Sequence, residues 1–277
     1  MKNARKFKPW HKWTMAVVLA GLAVAVGFPI VWKLTHKADR KASSDFTELA
    51  NQVADSAAPT TLGSAPTSTA GSTAAPTADS AVVSTAAPAA TGSPGGGLEG
   101  PWATITPDAT QADTFYVGYR VDEVLFGQNV TATGRTRDVT GTLVIDSSGV
   151  TAAEFTAQMA NVTSDEGRRD NQFRSRIMAV DRFPTATFTL TQPIALGTAP
   201  ADGVVTTFTA VGDFTAHGTT KSVTFELKAF RNGSQITVTG EIPIVFADWG
   251  IPNPTFGPAT TKDHGSMEFL LTFEKSS

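Results

Sequence analysis

The sequence predicts an all-β domain, a closed antiparallel barrel or a sandwich, carried behind a membrane-spanning helix and a disordered linker. Three observations predict it. From Pro101 onward apolar and polar residues alternate with period two over seven or eight segments, the pattern of strands with one buried face. The connections are short and polar, as in "DSSG", "HGTT" and "RNGS". Ahead of this region stand one uncharged apolar run and one low-complexity stretch.

The chain starts with a basic segment, residues 1–13, holding Lys2, Arg5, Lys6, Lys8 and Lys12. The apolar run from Thr14 to Trp32 has 19 residues; at a rise of about 1.5 Å per residue it nearly spans a hydrocarbon core of about 30 Å. Trp10 and Trp13 stand at one end and Trp32 at the other, where an interfacial aromatic belt lies. Residues 14–34 are therefore expected to be a transmembrane anchor, with residues 1–13 cytoplasmic and the remainder exported. A cleaved signal peptide is the competing reading, but its apolar core should be shorter and its exit small-x-small, whereas this exit, "FPIVWKLTHKADR", is bulky and basic.

Residues 35–100 are expected to form a disordered linker. Within them, 56–97 are almost wholly Ala, Thr, Ser, Pro and Gly, with Asp79 as the only charge. Such a segment cannot bury enough apolar surface to offset chain entropy, and it reads as a tether lifting the domain away from the membrane. One stretch inside it differs. In "SSDFTELANQVADS", Phe46, Leu49, Ala50 and Val53 recur at i, i+3, i+4 and i+7, which fits a short juxtamembrane helix as well as it fits disorder.

The folded domain should cover residues 101–277. Phe115, Val117, Tyr119 and Val121 share one face of the first long strand, with Tyr116, Gly118 and Arg120 opposite. Phe155, Ala157 and Met159 form the next stripe, then Phe188 with Leu190, then Phe208, Ala210, Gly212 and Phe214. Val223, Phe225, Leu227 and Ala229 follow, and Ile236 to Phe246 make the longest stripe. Met267, Phe269, Leu271 and Phe273 make the last. Between strands, "RRDNQFRSRIMAVDRFP" puts Phe173, Ile177 and Val180 at helical spacing before Pro184 ends the run. Closing such strands into a barrel removes aggregation-prone edges. Whether the interior is filled by side chains or holds a ligand is left open by the pattern.

Composition narrows the chemistry. Residues 1–100 carry nine Lys/Arg against six Asp/Glu, and residues 101–277 carry thirteen against nineteen. An acidic folded domain lacks the basic footprint of a nucleic-acid binder. The absence of Cys removes disulfides, thiolate catalysis and Cys-ligated metals. Of four His, His11 and His36 lie outside the fold, and His217 and His264 sit singly in turns. No metal site and no catalytic motif stand out, so no enzyme activity is expected. A cationic group is more informative. Arg168, Arg169, Arg174 and Arg176 surround the helix start, and Arg135 and Arg137 join them if the strands bring them near. They suit a clamp for a phosphorylated head group at the mouth of an apolar cavity; the plainer reading, and the favoured one, is that they pair with Asp165, Glu166, Asp170 and Asp181 to pin the helix onto the barrel.

Four segments in order carry a resemblance: "GTLVID", "RRDNQFRSRIMAVDRFPTATFTL", "VGDFTAHGTTKSV" and "DWGI". With this spacing, residues 104–275 resemble the YceI-like family of lipocalin-like, polyisoprenoid-binding proteins. The resemblance implies an eight-stranded antiparallel lipocalin-like barrel with one short helix near its opening. It also implies a ligand rather than a reaction: an isoprenoid lipid, either a polyprenyl phosphate or a quinone, held inside, and no other cofactor. Two departures stand out. "DTFYVGYRV" lacks a His-Ser pair that the family often has, and Arg169-Asp170 is followed by Asn171, Gln172 and Phe173 instead of a His-containing segment. The expected cavity residues are Phe115, Val117, Tyr119, Phe155, Met159, Phe173, Ile177, Phe188, Phe208, Phe225, Leu227, Phe269 and Leu271. Arg168, Arg169 and Arg174 are the expected head-group contacts. The expected function is thus that of a membrane-tethered cell-envelope protein that transports, stores or sequesters such a lipid. The alternative is an envelope structural or stress protein with a filled barrel. Monomer and homodimer both remain open.

Overall fold

A computed structural model describes residues 41–57, 97–106, 114–197, 199 and 201–276. The basic segment and apolar run of residues 1–34, and residues 58–96 of the Ala/Thr-rich stretch, lie outside the described residues. Among those described, no helix is long and apolar enough to cross a membrane.

The described residues form eleven strands: β1 (Gly100–Thr104), β2 (Tyr116–Leu125), β3 (Gln128–Thr136), β4 (Val139–Asp146), β5 (Gly149–Gln158), β6 (Thr185–Leu190), β7 (Thr206–Ala216), β8 (Thr219–Asn232), β9 (Gln235–Val245), β10 (Ala259–Thr261) and β11 (His264–Lys275). Eight of them close a ring in the order β1-β4-β5-β6-β7-β8-β9-β11, because β1 pairs with both β4 and β11. All of these pairings are antiparallel. The remaining three raise the wall at one end: β2 continues along β11 beyond β1, β3 pairs with β2, and β10 pairs with the tip of β2. The predicted all-β barrel of eight strands is therefore the observed one. The two-residue period does the work: in β4 the burial alternates strictly along Val139–Asp146, so each strand turns its apolar side chains inward.

The short helix also forms, in a different shape from a regular run. Helix α2 (Gly167–Gln172) begins at Glu166, whose carboxylate accepts the Arg168 amide at 3.1 Å. It passes into a wider π-type turn over Phe173–Ile177. Phe173 and Ile177 keep their inward positions, and Val180 follows after the turn has ended.

One segment departs from expectation. Residues 42–57 lie within the expected disordered linker, yet they form helix α1 (Ala42–Ala57) docked on the outer wall. Ala42, Phe46 and Ala50 are buried against Tyr116, Phe230 and Leu270, and the Phe46 and Phe230 rings meet edge-on at 4.9 Å. The physical reason is on the barrel. Tyr116, Phe230 and Leu270 point away from the interior, so one outer face is apolar where alternation would make it polar. Covering it gives the short helix the tertiary partner that it lacks alone. Polar contacts add to this. The Tyr116 hydroxyl donates to Asp45 at 2.9 Å, and Glu268 binds Arg120, Arg135 and the Ala42 amide at 3.3–3.4 Å. Arg135 also stacks over the Tyr116 ring at 3.8 Å. It thus belongs to this outer seam and not to the cationic group at the mouth that the sequence suggested.

The helix has a direction. Its first residues lie beside Glu268, with Lys41 within electrostatic reach of Asp122 near the β2 tip. Its last turn lies against Gly203, which hydrogen-bonds the Arg231 carbonyl at the opposite end of the barrel. The chain therefore enters α1 from the end raised by β2, β3 and β10.

Candidate functional site

The barrel interior is divided. Phe155, Phe188, Phe225 and Phe269, from β5, β6, β8 and β11, form a closed cycle of ring contacts. Centroid distances run 5.8 Å for 155 to 188, 5.4 Å for 188 to 225, 5.9 Å for 225 to 269 and 5.4 Å for 269 back to 155. Edge-on and stacked contacts of this kind are favourable for aromatic pairs. Two glycines make room for them. A Cβ on Gly212 would lie 2.5 Å from the Phe188 ring, and one on Gly240 would lie 2.5 Å from the Phe269 ring. Gly212 thus serves the partition and lines neither the pocket below it nor the cavity above it. Gly118 is likewise closed to a side chain, by the Gly134 carbonyl and Arg135.

Below the partition is a pocket of about 120 Å³, roofed by the four rings and walled by Leu143, Ile145, Phe208, Leu227 and Leu271 among others. Above it is a cavity of about 730 Å³ that none of the four rings lines. That volume falls within the range of about 300–1,000 Å³ typical of small-molecule sites. Its wall is apolar: Val117, Tyr119, Met159, Phe173, Phe214 and Met267 contribute, with Ala132, Ala186 and Ala216 giving the space. Its rim is mixed, with Glu123, Glu166, Arg168, Arg169, Asn171 and Gln172 on one side and Pro254, Phe256 and Pro258 on another.

The expected site residues therefore separate. Val117, Tyr119, Met159, Phe173 and Ile177 line the large cavity. Phe155, Phe188, Phe208, Phe225, Leu227, Phe269 and Leu271 line the small pocket instead. Phe115 is fully buried and lines neither. Alternation reports which way a side chain points; it says nothing of its height along the barrel. Phe214, Phe246, Ile244 and Met267 were missed as lining residues for this reason, although their stripes were visible.

The head-group candidates separate as well. Arg168 and Arg169 are on the rim. Arg169 already engages Asp165 and lies 3.9 Å from Glu123. Arg174 donates to the Val162 carbonyl at 3.3 Å and to Asn171 at 3.1 Å and does not line the cavity. Arg168 is thus the rim arginine best placed for an anion. Burial raises the Glu123 carboxyl above its ordinary range, with Arg169 opposing. Burial likewise raises the Tyr119 phenol, which stays neutral, stacked on Phe173 at 5.1 Å. Among the described residues no group of three or more His, Asp or Glu is placed to hold a metal. His217 packs on Phe183 at 4.7 Å and contacts the Trp249 carbonyl at 3.3 Å, and His264 pairs with Asp263.

Several solved structures are similar to this chain. Burkholderia cenocepacia BcnA aligns at 21% identity over 56% of this chain and 95% of its own, with a TM-score of 0.43. A polyisoprenoid binding domain from Saccharophagus degradans, implicated in plant cell wall breakdown, aligns at 17% over 63% and 98%, with a TM-score of 0.48. A Campylobacter jejuni YCEI protein aligns at 15% over 52% and 85%, with a TM-score of 0.40. No curated protein matches the chain. Residues 104–273 match the family described as the YceI-like domain, and the chain belongs to that family.

Proposed function

We propose that this protein binds a lipid with a long apolar tail in the cavity above the phenylalanine partition and holds it at the extracytoplasmic face of a membrane. The observation that carries the reading is the cavity itself: about 730 Å³, apolar along its walls and charged only at its rim. Each methylene buried there gains about 0.8 kcal/mol before ordering costs, so tail burial supplies the affinity. Arg168 at the rim suits a phosphate or another anionic head group. The Saccharophagus degradans neighbour is described as polyisoprenoid-binding, which supports an isoprenoid tail such as that of a polyprenyl phosphate or quinone. The apolar run of residues 14–32 supplies the membrane attachment. Carriage, storage or sequestration of that lipid is the role this reading assigns. Helix α1 changes how the barrel is displayed. The first docked residue, Ala42, follows closely on the apolar run, so the barrel is kept near the membrane.

The test is organic extraction of the purified full-length chain followed by mass spectrometry. A stoichiometric isoprenoid lipid is expected. Protein that releases no lipid, and takes none up from added polyprenyl phosphate or quinone, would overturn the reading.

A further inference from the structure

We infer that the rim of the large cavity is a bilayer-contact surface, with Phe126 and Phe256 as its inserting side chains and an anionic leaflet as its partner. This deepens the lipid-binding reading and rests on it. Phe126 and Phe256 are 59% and 62% exposed, and they are the only exposed phenylalanines among the described residues. Both stand at the same end. Leu125 pairs with Ala259, and Ala259 pairs with Phe256, so only two strand spacings of about 4.8 Å separate them. Phe256 lines the cavity opening together with Leu125, Pro254 and Pro258.

The turn at Phe126 strengthens the argument. Phe126 and Gly127 link β2 to β3 with φ of +49° and +77°. A two-residue hairpin of this kind favours Asn, Asp or Gly at its first position, because the left-handed conformation is strained for a bulky side chain. Phe126 is thus a bulky side chain in a turn conformation that small or polar residues favour, and it is 59% exposed at the end of the barrel where the cavity opens.

Charge and chain direction agree. Rim carboxylates are engaged within the protein: Asp122 with Lys262, and Glu123 and Asp165 with Arg169. Arg174 and Arg176 are held by neutral acceptors, Arg176 by Gln172 and by the carbonyls of Asn253 and Pro254. The Arg176 guanidinium also sits 5.9 Å from the Phe256 ring centre. Exposed aromatic side chains beside arginines suit an anionic interface. Independently, the chain enters α1 from this same end, where Lys41 is within reach of Asp122. Residues 35–40 can extend at most about 20 Å. A membrane segment at 14–34 would therefore keep the opening close to the bilayer.

The chain has no cysteine, so single labels are clean. F126C, F256C and, at the opposite end of the barrel, V204C would each be made in the full-length chain and labelled with an environment-sensitive dye. Each would be reconstituted into vesicles of equal parts phosphatidylcholine and phosphatidylglycerol. Dyes at positions 126 and 256 should shift to the blue and be quenched by lipids carrying a nitroxide near the head group, while the dye at 204 stays water-like. Replacing both phenylalanines by Ser should slow lipid transfer between vesicles by about tenfold per side chain, the equivalent of losing the burial of one aromatic ring. Water-like emission at all three positions would overturn the inference. A blue shift at positions 126 and 256 that the nitroxide-bearing lipids fail to quench would overturn it too, since a protein contact would then cover the rim. Extraction of the same variants separates the two readings: quenching with no lipid extracted removes the lipid-binding reading and leaves the surface, whereas lipid without quenching does the reverse.

Discussion

Above and below the phenylalanine partition the same strands have the same inward alternation, yet one half is hollow and the other filled. On β11, Met267 faces the large cavity and Leu271 and Phe273 face the small pocket. On β7, Ala216 and Phe214 face the cavity, and Phe208 faces the pocket. The upper half has Ala132, Ala186 and Ala216 where the lower half has Leu143, Ile145 and Ile236. Two lessons follow from the difference. Side-chain volume at each level decides whether a barrel is a core or a container, and the partition limits how deep a tail can reach.

The strongest way to break the comparison is to remove the partition. Phe225→Ala should cost about 3–5 kcal/mol in urea unfolding, as for other buried phenylalanines, and should let extracted lipids carry longer tails. Unchanged tail length would show that the halves are independent. Glu268→Ala should cost a similar amount, about 3–5 kcal/mol, because Arg120 and Arg135 lose a carboxylate that is only 2% exposed. Helix α1 should then become susceptible to proteolysis while lipid content is retained, which would place the difference between the halves inside the barrel and not in its outer clasp.

Filling each half in turn sharpens the contrast. Val238→Phe overpacks the small pocket and should destabilise by about 1–3 kcal/mol without altering lipid content. Ala186→Phe occupies space in the large cavity and should leave thermal stability nearly unchanged while reducing retained lipid. Arg168→Gln should weaken a phosphorylated ligand by about 1 kcal/mol, as expected for one partly exposed charge-assisted hydrogen bond, and leave a neutral quinone untouched in a binding titration.

Glu123→Gln has the smallest expected effect. The folded protein raises this carboxyl, through burial first, so it favours the protonated form. Its contribution to stability is then present below the ordinary carboxylate range and is lost as pH rises through the raised folded value. The Gln variant should be more stable than the parent at neutral pH by about a few tenths of a kcal/mol, given its partial exposure. That gain should disappear in acid, as thermal melts at the two pH values would show.

Much of this molecule was legible beforehand. Period two marked the strands and their inward faces, and the order of four short motifs pointed to the family. The i, i+3, i+4, i+7 spacing of Phe46, Leu49, Ala50 and Val53 marked one helical face. What covered that face was not legible, because its partners, Tyr116, Phe230 and Leu270, lie on three separate strands and read as outward residues. The same holds for Glu268, which alternation places outside and tertiary contact buries.

By itself, the sequence determined the class of fold, the inward set of side chains and the absence of thiol chemistry, because these depend on local periodicity and composition. Only the tertiary structure decided where the barrel is blocked, which inward residues enclose the cavity, and that residues 42–57 belong to the folded body. Those outcomes depend on register, on the height at which residues from different strands meet, and no single strand carries that information.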